Sequence, residues 1–186
     1  MLNPPINSIF NMDCLEGMRL LPDGCIDMVL CDLPYGTTAC KWDTCIPFEP
    51  LWEQYNRLVK PTGAILLFGS QPFTTALNQS NIKLFRYEWI WVKNNPTGFQ
   101  LANKRPLKKH EIISVFYQRQ PVYNPQGLLP YGKTNRRSSA GANWAELKSN
   151  SYTQKYTNYP TQILEFPLDP PSKRGGTSDT KTRCFA

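Results

Sequence analysis

The chain has 186 residues, a net charge of +7, 40% hydrophobic and 19% charged residues, and 17 prolines. A domain of this length buries roughly 70% of the surface its unfolded form exposes and needs no disulfide or metal staple, while a proline share well above the usual roughly 5% predicts much irregular backbone. No apolar run approaches the roughly 18 residues of a membrane span, and Met1 to Cys14 has neither the basic nor the apolar region of a signal peptide, so a soluble, unexported, cytoplasmic protein is expected.

Asn7 to Asn11 is a short Ile/Phe run that predicts a strand leading into a helix, with Asp13 as the N-cap. Leu15, Met18 and Leu21 fall on one helical face until Pro22-Asp23-Gly24 breaks the period. Ile26 to Cys31 is apolar apart from Asp27 and reads as a strand covered on both faces, ending at Asp32. Pro50 opens a second helix, with Leu51, Trp52, Tyr55, Leu58 and Val59 along one face, Lys60 in the last turn and Pro61-Thr62-Gly63 as the stop. Ala64 to Phe68 is another buried strand closed by Gly69-Ser70, and a helix is predicted from Pro72 to Gln79. Strands at Tyr87 to Lys93 and Ile112 to Tyr117 follow, separated by a basic, turn-rich stretch. This alternation predicts an α/β fold with a mainly parallel sheet.

From Arg119 the periodicity fades, and residues 119–162 are rich in Asn, Tyr, Gly, Ser, Lys and Arg, punctuated by Pro121, Pro125, Pro130 and Pro160. Residues 1–100 carry 7 Lys+Arg against 9 Asp+Glu, whereas residues 101–186 carry 14 against 5. A basic segment beside a nearly neutral one predicts an anionic partner, nucleic acid first, with a solvated basic face as the plainer alternative. The six cysteines form no C-x-x-C pair and His110 is the single histidine, which argues against a metal or redox site.

In open α/β sheets the working groups lie outside the carboxyl ends of the strands, where Asp32-Leu33-Pro34-Tyr35-Gly36 falls. The tetrapeptide offers a carboxylate, a backbone carbonyl on Leu33 that Pro34 biases toward extended geometry, and an aromatic ring. Those parts suit a planar amine: carboxylate and carbonyl each accept one N–H, localising the nitrogen lone pair, while the tyrosine stacks on the attached ring.

Asp32-Leu33-Pro34-Tyr35 resembles the D-P-P-Y motif of the amino-methylating DNA methyltransferases, which move a methyl group from S-adenosylmethionine to N6 of adenine or N4 of cytosine. "NMDCLEGMRLLPDGCIDMVLCDLPYG" is similar to that family's cofactor-adenine segment running into its catalytic motif, and "LVKPTGAILLFGSQPF" and "FRYEWIWVKNNPTGFQLANKRPLKKHEIISVFYQ" resemble the blocks that follow, over about residues 6–118. The resemblance implies a Rossmann-like methyltransferase fold. It implies that Asp32 and the Leu33 carbonyl hold the target amine, that Tyr35 stacks on a base flipped from double-stranded DNA, and that Asp13 and Cys14, with Asp32, meet the cofactor. The sulfonium methyl is already electrophilic, so orientation carries most of the rate and neither a strong general base nor a metal is called for; His110 has no role that this chemistry demands. An aspartate at the first motif position favours adenine. Leu33 stands where the family usually has proline, which lowers the local stiffness.

Trp91 and Lys93 match a "W-x-K" near the family's base pocket, or Trp91 is simply core. Gly69 and Ser70 either approach a ligand or make a turn. Lys104, Arg105, Lys108 and Lys109 read as a phosphate-contacting loop, and Arg136 and Arg137 as further DNA contacts. The organisation expected is a catalytic α/β domain over 1–118, a target-recognition segment over 119–166 and an irregular tail over 167–186.

None of the 11 glycines forms the G-x-G turn at which the cofactor normally meets the backbone. In the circularly permuted branch of the family, where D-P-P-Y comes first, that turn follows an "H-P-T-Q-K-P" segment. One coding string for Thr177 to Ala186, read a base later, yields His-Pro-Thr-Gln-Lys-Pro-Val-Ala-Leu, and Gly175-Gly176 can lie in a run of G bases. The expectation is a truncated, frameshifted methyltransferase; the rival readings are a catalytically inactive DNA-binding remnant and a methyltransferase acting on RNA. A restriction endonuclease partner is compatible with the sequence but nothing in it requires one.

Overall fold

The structure, a computed structural model, describes residues 7–41, 43–136 and 151–166. Arg137 and the tail over 167–186, with its frameshift reading, lie outside them. The chain divides into two compact units, one of the residues up to Pro121 together with those from Ile163, the other Val122–Gln162.

In the first unit, α1 (Cys14–Arg19) begins where expected because the Asp13 carboxylate accepts the backbone N–H groups of Leu15 and Glu16, at 2.9 and 3.2 Å. Strand β1 (Ile26–Asp32) then enters the sheet, α2 (Phe48–Leu58) crosses to β2 (Val59–Gly69), and α3 (Phe73–Ser80) leads to β3 (Phe85–Thr97). A single 3-10 turn at Phe99–Leu101 precedes β4 (Lys108–Phe116), and the short β7 (Ile163–Glu165) completes the sheet. The strand order is β1-β2-β4-β3-β7. β1 pairs parallel with β2 and β3 parallel with β7, while β4 is antiparallel to both of its neighbours. Four of the five strands therefore run the same way, which meets the expected mixed α/β class, and β4 alone is reversed.

Alternation along β2 builds two cores. Ile65 and Leu67 pack with Leu51, Trp52 and Tyr55 of α2, Phe73 and Leu77 of α3, and Phe116. Leu66 and Phe68 point the other way, against Trp91, Ile113 and Val115. Trp52 Nε1 donates to Ser80 Oγ at 2.7 Å and ties α2 to α3. Arg57 reaches back to the end of α1, donating to the carbonyls of Met18 and Leu21 at 2.7 and 2.8 Å and to Asp23 Oδ1 at 2.6 Å. It satisfies carbonyls that the end of a helix leaves without intrahelical partners.

Four expectations are corrected. The strand β1 is not covered on both faces: it lies at the edge of the sheet, none of its residues is fully buried, and Met28 is 55% exposed. Asn7 to Asn11 forms no strand: Ile9 is 100% exposed, and the run pairs with no strand although β1 leaves one edge of the sheet open. Pro61-Thr62-Gly63 does not stop a helix. Instead β2 starts at Val59 and carries these residues as an irregularity, Ile26 pairing with Val59 but Met28 with Ala64. Gly63 is required there, since an added Cβ would lie 2.6 Å from the Asp27 carbonyl oxygen. Nor is the basic stretch all loop, because β4 begins at Lys108.

In the second unit, β5 (Leu129–Arg136) and β6 (Ser151–Thr157) make a two-stranded antiparallel ribbon, so this region is less irregular than its composition predicts. Tyr131, Tyr152 and Tyr156 are each 45% exposed on it.

Candidate active site

Because β1 and β2 run together and β4 runs against them, the register gathers one set of polar residues at the carboxyl edge of the sheet. Asp32 pairs with Phe68, Gly69 with Ile112, Trp91 with Glu111, and Val92 with His110. The edge thus carries Asp32 at the end of β1, Gly69 and Ser70 at the end of β2, Glu111 on β4 and Lys93 on β3.

The tetrapeptide is anchored from within. Leu33 is only 6% exposed and packs into the core beneath α2 and α3. Tyr35 packs against both cores, its ring 5.0 Å from that of Phe73 and tilted by 30°. Its hydroxyl donates to Asp32 Oδ1 at 2.6 Å. Burial first, then the hydrogen bond and charge of Asp32, then the charges of Glu111 and Cys31, push the Tyr35 phenol far above its ordinary range. It is a protonated donor at any physiological pH.

Asp13 spends Oδ1 on capping α1, and Cys14 beside it is exposed. Burial, followed by the charge of Asp13, raises the Cys14 thiol. Cys31 is raised by burial and also feels Cys14. Leu15 and Met18 of α1 and Cys31 of β1 pack on the same core.

Two acidic residues escaped the sequence reading. Asp43, 8% exposed, accepts the backbone N–H groups of Gly36 at 2.9 Å, Thr37 at 2.9 Å and Thr38 at 2.7 Å. The Thr38 hydroxyl and these amides hold its carboxyl down at about 2. Glu111, 6% exposed, forms an ion pair with Lys93, whose ammonium also lies 5.9 Å from the Trp91 ring centroid. An aspartate in a loop and a glutamate in a basic run carry no local signal of burial.

Packing gives a structural role to three further positions. Trp91 is a core residue, edge-on to Phe68 at 6.1 Å. Gly69 makes room for α3, because an added Cβ would lie 2.5 Å from Thr74 Oγ1. Ser70 accepts a hydrogen bond from the Lys108 ammonium. Of the expected DNA contacts, Lys104, Arg105 and Lys109 are exposed, whereas Lys108 is half-buried and turned toward Ser70. Arg136 lies at the end of β5, opposite Ser151. Among the described residues no group of His, Cys, Asp and Glu is arranged to hold a metal ion, and no helix is long and apolar enough to cross a membrane.

No protein-family model matches the chain. Among solved structures it is similar to the M1.HpyAVI–SAM complex, at 20% identity and a TM-score of 0.41, over 59% of this chain and 54% of that one. It is also similar to PvuII DNA methyltransferase, described as cytosine-N4-specific, at 14% identity and a TM-score of 0.46, over 59% and 49% of the two chains. The chain spans about half the length of these structures.

Proposed function

We propose that this chain is an S-adenosylmethionine-dependent DNA amino-methyltransferase whose target is N6 of adenine. The observation that carries the reading is the Asp32-Leu33-Pro34-Tyr35 tetrapeptide at the carboxyl end of a strand, with a carboxylate and an aromatic hydroxyl 2.6 Å apart. Asp32 accepts one N–H of the exocyclic amine and the Leu33 carbonyl the other, which draws the nitrogen lone pair out of the ring. The Tyr35 hydroxyl orients the carboxylate for that task, and its ring offers a stacking face to the flipped base. Transfer of the methyl group would break its bond to sulfur, leaving a neutral thioether, and the proton shed by the alkylated nitrogen would pass to the Asp32 carboxylate and on to water. Most of the acceleration comes from holding the amine in line with the methyl donor.

Asp13 and Cys14 at the start of α1 would hold the cofactor's adenine, with Asp32 at the end of β1 completing the set. Bound there, S-adenosylmethionine supplies the electrophilic methyl group. Lys104, Arg105 and Lys109 serve the DNA backbone, with Arg136 and Arg137 on the second unit, while Lys108 is engaged with Ser70. The ribbon of that unit is the target-recognition element, since a two-stranded ribbon is narrow enough for the major groove of DNA.

The test is methyl transfer from labelled S-adenosylmethionine to duplex DNA, followed by nucleoside analysis. N6-methyladenine is expected; N4-methylcytosine would overturn the choice of adenine. Asp32→Ala should lower transfer by about 10²–10³-fold or more while leaving salt-dependent DNA binding intact. An active Asp32→Ala chain would sink the assignment of the amine site. The second reading is a DNA-binding protein without catalysis, for which the basic charge after residue 100 alone would account. Calorimetry separates the two, because that protein binds duplex DNA but not S-adenosylmethionine.

A further inference from the structure

The turn after the tetrapeptide is built around a carboxylate of the chain itself. Gly36 has φ +67°, a conformation that favours glycine, and an added Cβ would lie 2.9 Å from Cys45 Sγ. The turn aims three successive N–H groups, of Gly36, Thr37 and Thr38, at one point. Such a concavity attracts an anion, and here the anion is Asp43. Residues 37–41 around it are exposed, so few packing contacts could hold this turn in place.

We propose that Asp43 is a positioning residue for Tyr35, holding the backbone that leaves the tetrapeptide so that the aromatic hydroxyl stays on Asp32. The inference rests on reading Asp32 and Tyr35 as the amine site. Its basis is the short span between two fixed points. Leu33 is locked into the core, and Gly36 begins the turn that Asp43 ties down, leaving only Pro34 and Tyr35 between them. Pro34 has a ring-fixed φ, so the placement of Tyr35 is set by its two ends. Asp43 touches neither Tyr35 nor Asp32 in any hydrogen bond described above; it acts through the backbone. If it merely secured a surface turn, Tyr35 would not respond to its loss, since Phe73 and the core would hold the ring alone.

The experiment labels the full-length chain with 3-fluorotyrosine and follows Tyr35 by 19F NMR, its signal assigned by its loss in Tyr35→Phe. In Asp43→Asn the amide cannot accept all the N–H groups that the carboxylate accepts, and the Tyr35 resonance should move toward those of the exposed tyrosines. Methyl transfer should fall in kcat by up to about 100-fold, the scale of a misplaced reacting group, with KM for S-adenosylmethionine and duplex affinity within about twofold. A folded Asp43→Asn chain with an unmoved Tyr35 resonance overturns the proposal. Should that variant not fold, Gly36→Ala displaces the same turn from its backbone side and must give the same shift. A wild-type chain that transfers no methyl group overturns the amine-site reading, whereas the 19F shift decides the hold of Asp43 on Tyr35 independently.

Discussion

The two compact units differ in what holds them. In the first, Leu67, Leu77, Ile113 and Phe116 have no measurable exposure, and the sheet has buried residues on both faces. In the second, nearly every described residue of the ribbon is exposed, including three tyrosines, and the strands are joined by their ladder and by side-chain contacts such as Thr134 with Thr153 at 3.2 Å. A two-stranded ribbon without a hydrophobic face is marginal in water. Its side chains are therefore available to a partner, and its composition fits a polyanion: Lys133, Arg136, Arg137, Lys148 and Lys155 stand against Glu146 alone within 122–162. Stability resides in one unit, and the other is free to specialise in contact.

Substitutions can break or sharpen this contrast. The largest expected effect is Leu77→Ala, which empties a fully buried site and should cost about 2–5 kcal/mol in denaturant unfolding. Tyr156→Ala on the ribbon should change the same quantity by only about 0.5 kcal/mol. Equal losses would mean that the ribbon shares the stability of the sheet. Arg57→Ala removes the bonds to Met18, Leu21, Asp23 and the buried Gln54 and should cost about 1.5–3 kcal/mol, mostly from the two carbonyls and Gln54, because Asp23 is largely exposed and its ion pair is worth little.

The pH dependence separates the two ends of the tetrapeptide. Asp43 titrates near 2 in the folded chain against an ordinary 3.8, so its contribution is present above about pH 4 and fades as pH falls toward 2. The Tyr35 phenol is shifted upward from an ordinary 10.0, so its contribution is present below pH 10 and fades above it. Asp43→Asn should flatten the acid limb of a plot of thermal midpoint against pH, and Tyr35→Phe the alkaline limb; an unchanged limb in either variant contradicts the corresponding environment. The smallest expected effect is on the ribbon itself. Lys133→Ala should lower the salt slope of duplex binding by about 1 and leave the thermal midpoint in place. A salt slope equal to the wild type would remove Lys133 from the interface.

Much of the first unit was legible because its signals are local. Asp13 announces a helix start by a side chain that reaches amides two and three residues on, and the apolar run Ile26 to Cys31 announces a strand, although not that it lies at the sheet's edge with none of its residues fully buried. The tetrapeptide was visible for the same reason, as four consecutive residues following that strand. Asn7 to Asn11 misled, because β propensity says nothing about whether a ladder partner exists. Pro61-Thr62-Gly63 misled because turn residues also make strand irregularities, and the close approach of the Asp27 carbonyl that explains Gly63 comes from a residue 36 positions away.

The sequence by itself determined the α/β class, the main elements of the sheet unit, the place of Asp32 to Tyr35 at a strand end and the concentration of basic charge after residue 100. Only the tertiary structure decided that β4 inserts antiparallel between β2 and β3, that Lys108 turns to Ser70, that Glu111 takes Lys93 as its partner, and that Asp43 fills the turn behind Tyr35. The physical reason is range. Caps, apolar runs and turns express energies among residues a few positions apart, whereas the partner of a buried charge is chosen by which strands and loops meet, and that is settled only when the whole sheet forms.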